Sequence, residues 1–227
     1  MINRKIKIVV ALGLFSLLAL PVIYVFLWPQ NSDSDTAETV IITPTAASGD
    51  YEKGVNAAFD GDYETAFREF TIAAEEGLHL AQYNLGILYF TGQGVEQDFD
   101  QAFKWTKAAA EQGHINAQVN LGSLYFDGQG TRQNNVLGID WFKSAARGGH
   151  ATAAFALAKM YQEGDPMSQD LVEAHTWAAK AANNQHAEGL QLKEEIEVEL
   201  SPAELSEARR IFAARQLESL PPILPNR

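Results

Sequence analysis

The chain has 227 residues, 46 % hydrophobic and 20 % charged, with 29 acidic side chains against 17 basic ones and no cysteine. It is longer than one ordinary domain needs, and without cysteine it has no disulfides, no thiolate nucleophile and no Cys-based metal site. The acidic balance argues against docking on nucleic-acid phosphates, which takes clustered Lys and Arg.

Residues 8–28, IVVALGLFSLLALPVIYVFLW, carry no charge over twenty-one positions. As a helix that run is long enough to cross a hydrocarbon core roughly 30 Å thick. A cleaved signal peptide competes with this reading, because Arg4, Lys5 and Lys7 form a basic flank. Its apolar core would normally be about 7 to 15 residues and end at small residues, whereas this run ends in Phe26, Leu27, Trp28 and Pro29. The reading adopted is an uncleaved, single-pass signal anchor with interfacial Tyr24 and Trp28. Three basic residues precede the span, and residues 29–50 hold Asp33, Asp35, Glu38 and Asp50 with no Lys or Arg. The N-terminus is therefore expected in the cytoplasm and the rest outside the inner membrane, in the periplasm of a Gram-negative cell.

Residues 31–50 are rich in Ser, Thr, Asp and Ala, show no sustained helical period, and read as a flexible linker spanning roughly 25 Å. Beyond residue 31 the chain has 29 acidic against 14 basic side chains.

The next stretch repeats itself. LGILYFTGQG at 85–94 returns as LGSLYFDGQG at 121–130, and a shift of 36 aligns Ala81, Ala117 and Ala153; Leu85, Leu121 and Leu157; Tyr89, Tyr125 and Tyr161; and Trp105, Trp141 and Trp177. A fixed period between 20 and 50 residues marks a stacked repeat architecture. Each unit reads as two helices. The first runs from about 81 to 91 and is broken by Gly92 and Gly94; the second starts at an N-cap, Asp98, and ends at Gly113 in a left-handed position. The cap column is Asp62, Asp98, Asn134 and Asp170, and the terminators are Gly77, Gly113 and Gly149, with Gln185 expected to end the fourth unit differently. Small residues at 66, 102, 138 and 174 let paired helices approach, and each Trp and Tyr is expected to fill the gap between units.

The first unit, from residue 51, has a shorter link at Gly61-Asp62, no tryptophan in the Trp column, and resembles a plain tetratricopeptide unit. After residue 188 the period stops. Leu192, Ile196 and Leu200 then recur at helical spacing, and Ser201-Pro202-Ala203-Glu204 is a capping box with Pro at the first helical position. Leu205, Ala208, Phe212 and Leu217 are expected to face the last repeat, and SLPPILPNR to be an extended tail.

The pattern AxxxLGxxYxxGxG...DxxxAxxWxxxAAxxGH, carried by Ala81 to His114, Ala117 to His150 and more weakly Ala153 to His186, resembles the Sel1-like repeat, a relative of the tetratricopeptide repeat. The resemblance implies an all-α solenoid of stacked helix-turn-helix units and an adaptor role. The expected organisation is a cytoplasmic stub and transmembrane anchor over 1–30, the linker over 31–50, a tetratricopeptide-like unit plus three Sel1-like repeats over 51–188, capping helices over 189–218 and the tail over 219–227.

His114, His150 and His186 share one column, so repeat spacing of roughly 8 to 10 Å keeps them from sharing a metal ion; His79 and His175 read as isolated. GQG at 92–94 and 128–130 lacks the third glycine and the preceding strand of a phosphate loop, and reads as a turn. The run from Glu194 to Glu199 reads as a solvated helix face. No Ser-His-Asp order is defensible, so no enzyme, metal or cofactor is expected. Tetratricopeptide ligand positions, mapped by offset from the Leu-Gly pair, give a concave strip of Tyr83, Ile87 and Phe90, then Val119, Ser123 and Phe126, then Phe155, Lys159 and Gln162. The plainer reading of its aromatics is core. The expected function is a membrane-anchored scaffold binding envelope proteins or peptides, and not nucleic acid; the alternative is a binding protein for cell-wall glycan or another polysaccharide.

Overall fold

The computed structural model describes residues 50–218. The expected anchor at 8–28, most of the linker and the tail at 219–227 lie outside the described residues. Among the described residues there are ten helices and no strand. They are α1 (Tyr51–Asp60), α2 (Tyr63–Glu75), α3 (His79–Thr91), α4 (Phe99–Glu111), α5 (Ile115–Asp127), α6 (Asn135–Arg147), α7 (Ala151–Glu163), α8 (Leu171–Asn183), α9 (Gly189–Glu199) and α10 (Pro202–Glu218). No described helix is long and apolar enough to cross a membrane. Each helix through α8 packs on the next in the chain, and α10 returns onto α8, which makes an all-α solenoid of four hairpins with two added helices.

The helices begin where local chemistry predicts. Asp62, Asp98, Asn134 and Asp170 each accept the backbone N–H three residues on, at 3.1, 3.0, 3.1 and 2.9 Å. A side-chain oxygen there satisfies one of the helix's free donors. At the far ends, Gly77, Gly113 and Gly149 take φ of 93°, 88° and 101°. The fourth unit was expected to end differently, but Gln185 adopts the same left-handed turn at φ 64°. The bond it permits, His186 N–H to the Ala181 carbonyl at 2.9 Å, matches His150 to Ala145 at 3.0 Å, so the hydrogen-bond pattern outweighs the residue's own preference.

The core follows the columns. Ala81, Ala117, Ala153, Leu85, Leu121 and Leu157 are all fully buried, as are Ala66, Ala102 and Ala174 in the small-residue column, with Gly138 buried beside them. A Cβ at Gly138 would meet the Phe126 ring and the Gly122 carbonyl at 3.0 Å, so glycine there sets how closely α5 and α6 pack. Tyrosines bridge units as expected: Tyr89 meets Phe67 edge-on at 5.3 Å, and Tyr125 meets Phe103 at 5.3 Å. The tryptophans do so unequally. Trp177 is 3 % exposed, whereas Trp105 and Trp141 are half-buried, because α10 covers α8 and no added helix covers α4 or α6.

The C-terminal helices form as read. Leu192, Ile196 and Leu200 are buried, and Ser201 and Glu204 exchange the two hydrogen bonds of a capping box. Ala208 is buried and Leu205 packs on the core, but Leu217 is 70 % exposed and does not face the repeat. The glutamate run is also not wholly solvated. Glu197 meets the buried His175 at 2.9 Å, Lys193 at 3.0 Å and Arg209 at 3.5 Å, tying α8, α9 and α10 together. The His175 contact, then Lys193, holds its carboxyl down to about 2. His175 is thus no isolated residue.

Candidate interaction surface

The nine strip residues lie on the first helices of three hairpins, α3, α5 and α7, but neighbouring units use most of them. Tyr83 stacks on the His114 ring at 4.3 Å and shares its hydroxyl with Asn120 of the next unit. Burial pushes that phenol up to about 12. Phe155, at the same repeat position, stacks on His186 at 4.2 Å with rings 10° from parallel. Val119, between them in the column, is half-buried and packs on the core of the third and fourth units. This column therefore welds units together.

A second column is used inside each hairpin. Phe90 meets Phe99 edge-on at 5.5 Å, and Phe126 meets Phe142 at 5.5 Å. The carbonyls of Phe90, Phe126 and Gln162 accept from Gln97, Gln133 and Gln169 at 2.7, 2.7 and 2.8 Å, so each hairpin loop is latched to the helix before it. The 36-residue spacing of those glutamines was the signal that could have revealed the latch.

What remains is the third column, Ile87, Ser123 and Lys159, each half-buried. Lys159 pairs with Glu163 at 2.9 Å and donates to Gln162 at 3.2 Å. The first-helix residues beside it run from Leu80 and Thr91 through Asn116 and Asp127 to Thr152 and Glu163, all exposed except the half-buried Asn116. The row thus grades from apolar to charged along the solenoid.

The histidines have a different task. His114 and His150 cap α5 and α7 by accepting the Ala117 and Ala153 N–H on Nδ1 at 3.1 Å each. His79, expected to be isolated, has its ring 5.5 Å from that of His114. An acceptor Nδ1 cannot carry a proton, and burial, with His79 adding to it, holds the His114 imidazole down to about 4. Burial also lowers His150 and His186. Among the described residues no three ligand-type side chains are placed to hold a metal ion.

These caps make stability depend on pH. The unfolded chain binds a proton at His114 near pH 6.5 and the folded chain does not until about pH 4, so stability present above pH 6.5 falls as pH drops between those values. The slope from one histidine is at most about 1.4 kcal/mol per pH unit and less after solvent screening. His114→Asn keeps a capping acceptor and removes the titration. Chemical denaturation at pH 7 and pH 5 is expected to show a smaller loss in His114→Asn than in the parent; an unchanged slope would refute the assignment.

Other buried polar contacts also hold units together. Gln82 and Gln118 on α3 and α5 donate to the Ala74 and Ala110 carbonyls of the preceding hairpin at 3.2 and 3.4 Å. Both are nearly buried, and nothing in their sequence position marks them as capping residues.

Comparison with known proteins places this geometry in a family. The Sel1 repeat model matches residues 79–114, 115–150 and 151–186, including the copy with the altered loop. The Sel1 repeat protein from Oxalobacter formigenes is 31 % identical, with a TM-score of 0.57, covering 61 % of this chain and 57 % of that one. The structure of c5321, a protective antigen of uropathogenic Escherichia coli displaying an SLR fold, is 25 % identical with a TM-score of 0.63, covering 79 % of this chain and 42 % of that one. The chain thus spans about half the length of these structures. No curated protein matches it. Sel1 repeats in general mediate protein–protein interaction. Residues 79–186 are therefore three Sel1 repeats in tandem, the central part of an all-α repeat solenoid.

Proposed function

We propose that this protein is a non-catalytic scaffold, anchored in the inner membrane through residues 8–28 with its repeats in the periplasm, and that it binds envelope proteins or peptides along Ile87, Ser123 and Lys159. One observation carries the reading: in the expected strip, two columns are spent on packing and latching, while the side chains of this one make no ring pair, hydrogen bond or ion pair to another unit among the described residues. Repetition at one position on successive helices suits an extended segment or a partner helix. The uncharged run and basic flank of the N-terminus support the anchor. The glycan alternative is weaker, because Tyr83, Phe90, Phe126 and Phe155, the rings a sugar would stack on, are engaged by this chain's own side chains.

The chain's lack of cysteine allows one experiment to test surface and location together. Ser123→Cys is labelled in spheroplasts with a membrane-impermeant maleimide carrying a photo-crosslinker, with Lys104→Cys as an exposed control on α4. Both positions are expected to label, and Ser123→Cys to join a discrete protein partner that Lys104→Cys does not. Adding Ile87→Asp should reduce that product by about fivefold or more, since a contact that matters is worth over 1 kcal/mol. No labelling at either position rejects the exported location, and equal products at both reject the surface.

A further inference from the structure

Two of the hairpin loops border clefts on the solenoid's surface. The two clefts occupy the same repeat register. One, of about 490 Å³, is lined by Tyr125, Thr131, Arg132 and Asn134. The other, of about 370 Å³, has Tyr161, Met167 and Asp170 at the loop and Val136 and Ile139 of α6 as its floor. Met167 stands where the earlier units have Val95 and Thr131, and Val136 where α2 and α4 have Glu64 and Asp100. An acidic residue in a helix's first turn is favoured by the helix dipole. Val136 forgoes that and is 68 % exposed. Met167 and Val136, with Ile139, make this cleft more apolar than the one at Thr131 and Arg132.

It is also the cleft nearest the end of the described chain. Thr176 donates to the Ala208 carbonyl at 3.5 Å, and Arg215 meets Glu173 through two contacts of 2.6 and 3.0 Å. Hence α10 runs antiparallel to α8 and ends, one turn beyond Arg215, beside the start of α8, which Met167 to Asp170 directly precede. The residues that follow, SLPPILPNR, carry Leu220, Ile223 and Leu224, three prolines, no acid and one cation, Arg227. Prolines favour an extended backbone of about 3.1 Å per residue, so nine residues reach about 28 Å. Asp140 and Asp170 line the cleft as well, and so does Lys143, whose ammonium lies over the Tyr161 ring at 5.6 Å.

We propose that residues 220–227 dock in this cleft of their own chain, with Ile223 and Leu224 on Val136, Ile139 and Met167, and Arg227 toward Asp140 and Asp170. The test uses the full chain in detergent, with Val136→Cys and Leu224→Cys as its two thiols. Mild oxidation is expected to join them within one chain. Adding Leu220→Asp and Ile223→Asp keeps the tether but removes the anchors, and is expected to slow the reaction at least tenfold; Asp140→Lys should slow it too. An unchanged rate in the Leu220→Asp, Ile223→Asp chain would show mere tethering, and a disulfide between two chains would show a second copy in the cleft. Either result overturns the proposal.

Discussion

Gly130→Ala is expected to destabilise the solenoid by about 2 to 5 kcal/mol, the sum of a left-handed backbone cost of about 1 to 2 and an overpacking cost of about 1 to 3. Gly130 sits at φ 65°, and a Cβ there would fall directly on the Phe99 carbonyl and 2.9 Å from Phe103 Cβ. The loop of one hairpin thus rests on the first turn of the preceding hairpin's second helix, with no room for a methyl group. Gly94 repeats the contact against the Tyr63 carbonyl. In the fourth unit Pro166 holds this position, exposed and after a cis peptide bond.

Gly113→Ala is the control. It has φ 88° but open space where its Cβ would go, so its cost is limited to the backbone term of about 1 to 2 kcal/mol. Denaturation of both variants in the full chain separates the two terms. If Gly130→Ala were no worse than Gly113→Ala, close approach of loop to helix would not be what sets the register between units. Since each unit leans only on its neighbours, the Gly130→Ala loss should also appear as a broadened or split transition.

The same locality explains what could be read from the chain. The caps were legible because a side-chain acceptor and a backbone donor three residues apart complete each other wherever the helix sits. The buried columns were legible because Leu85, Leu121 and Leu157 repeat one environment. The strip was only partly legible, because what uses Tyr83 and Phe155 is a histidine one repeat away, and spacing alone does not tell a structural histidine which ring it stacks on. His175 and Glu197 were missed for a stronger reason. His175 on α8 departs from a column held by Phe67, Phe103 and Ile139, and its partner Glu197 lies on α9, past the end of the period, where no column exists to compare. Leu217 was misplaced because helical spacing counts faces but cannot say where a helix outruns its partner.

Exposure of the tryptophans shows where that limit has the largest energetic consequence. Trp177→Ala is expected to cost about 3 to 5 kcal/mol, the range for a fully buried aromatic. Trp141→Ala, on a half-buried ring, should cost about 1 to 2 kcal/mol, since less apolar area leaves water on folding. One column of identical residues thus splits by the presence of α10, whose Arg215 guanidinium lies 5.2 Å from the centre of the Trp177 ring. Trp177 Nε1 is buried with no hydrogen-bond partner. Trp177→Phe removes that orphan donor together with some volume, so it should cost well under half of what Trp177→Ala does. Denaturation of the three variants gives the order, and limited trypsin cleavage at Arg209 and Arg210, both exposed on α10, reports whether that helix has come loose. Trp177→Ala should accelerate that cleavage and Trp141→Ala should not. Equal cost for Trp177→Ala and Trp141→Ala would mean that α10 adds no burial that matters, and its place as the cap of the last repeat would have to be given up.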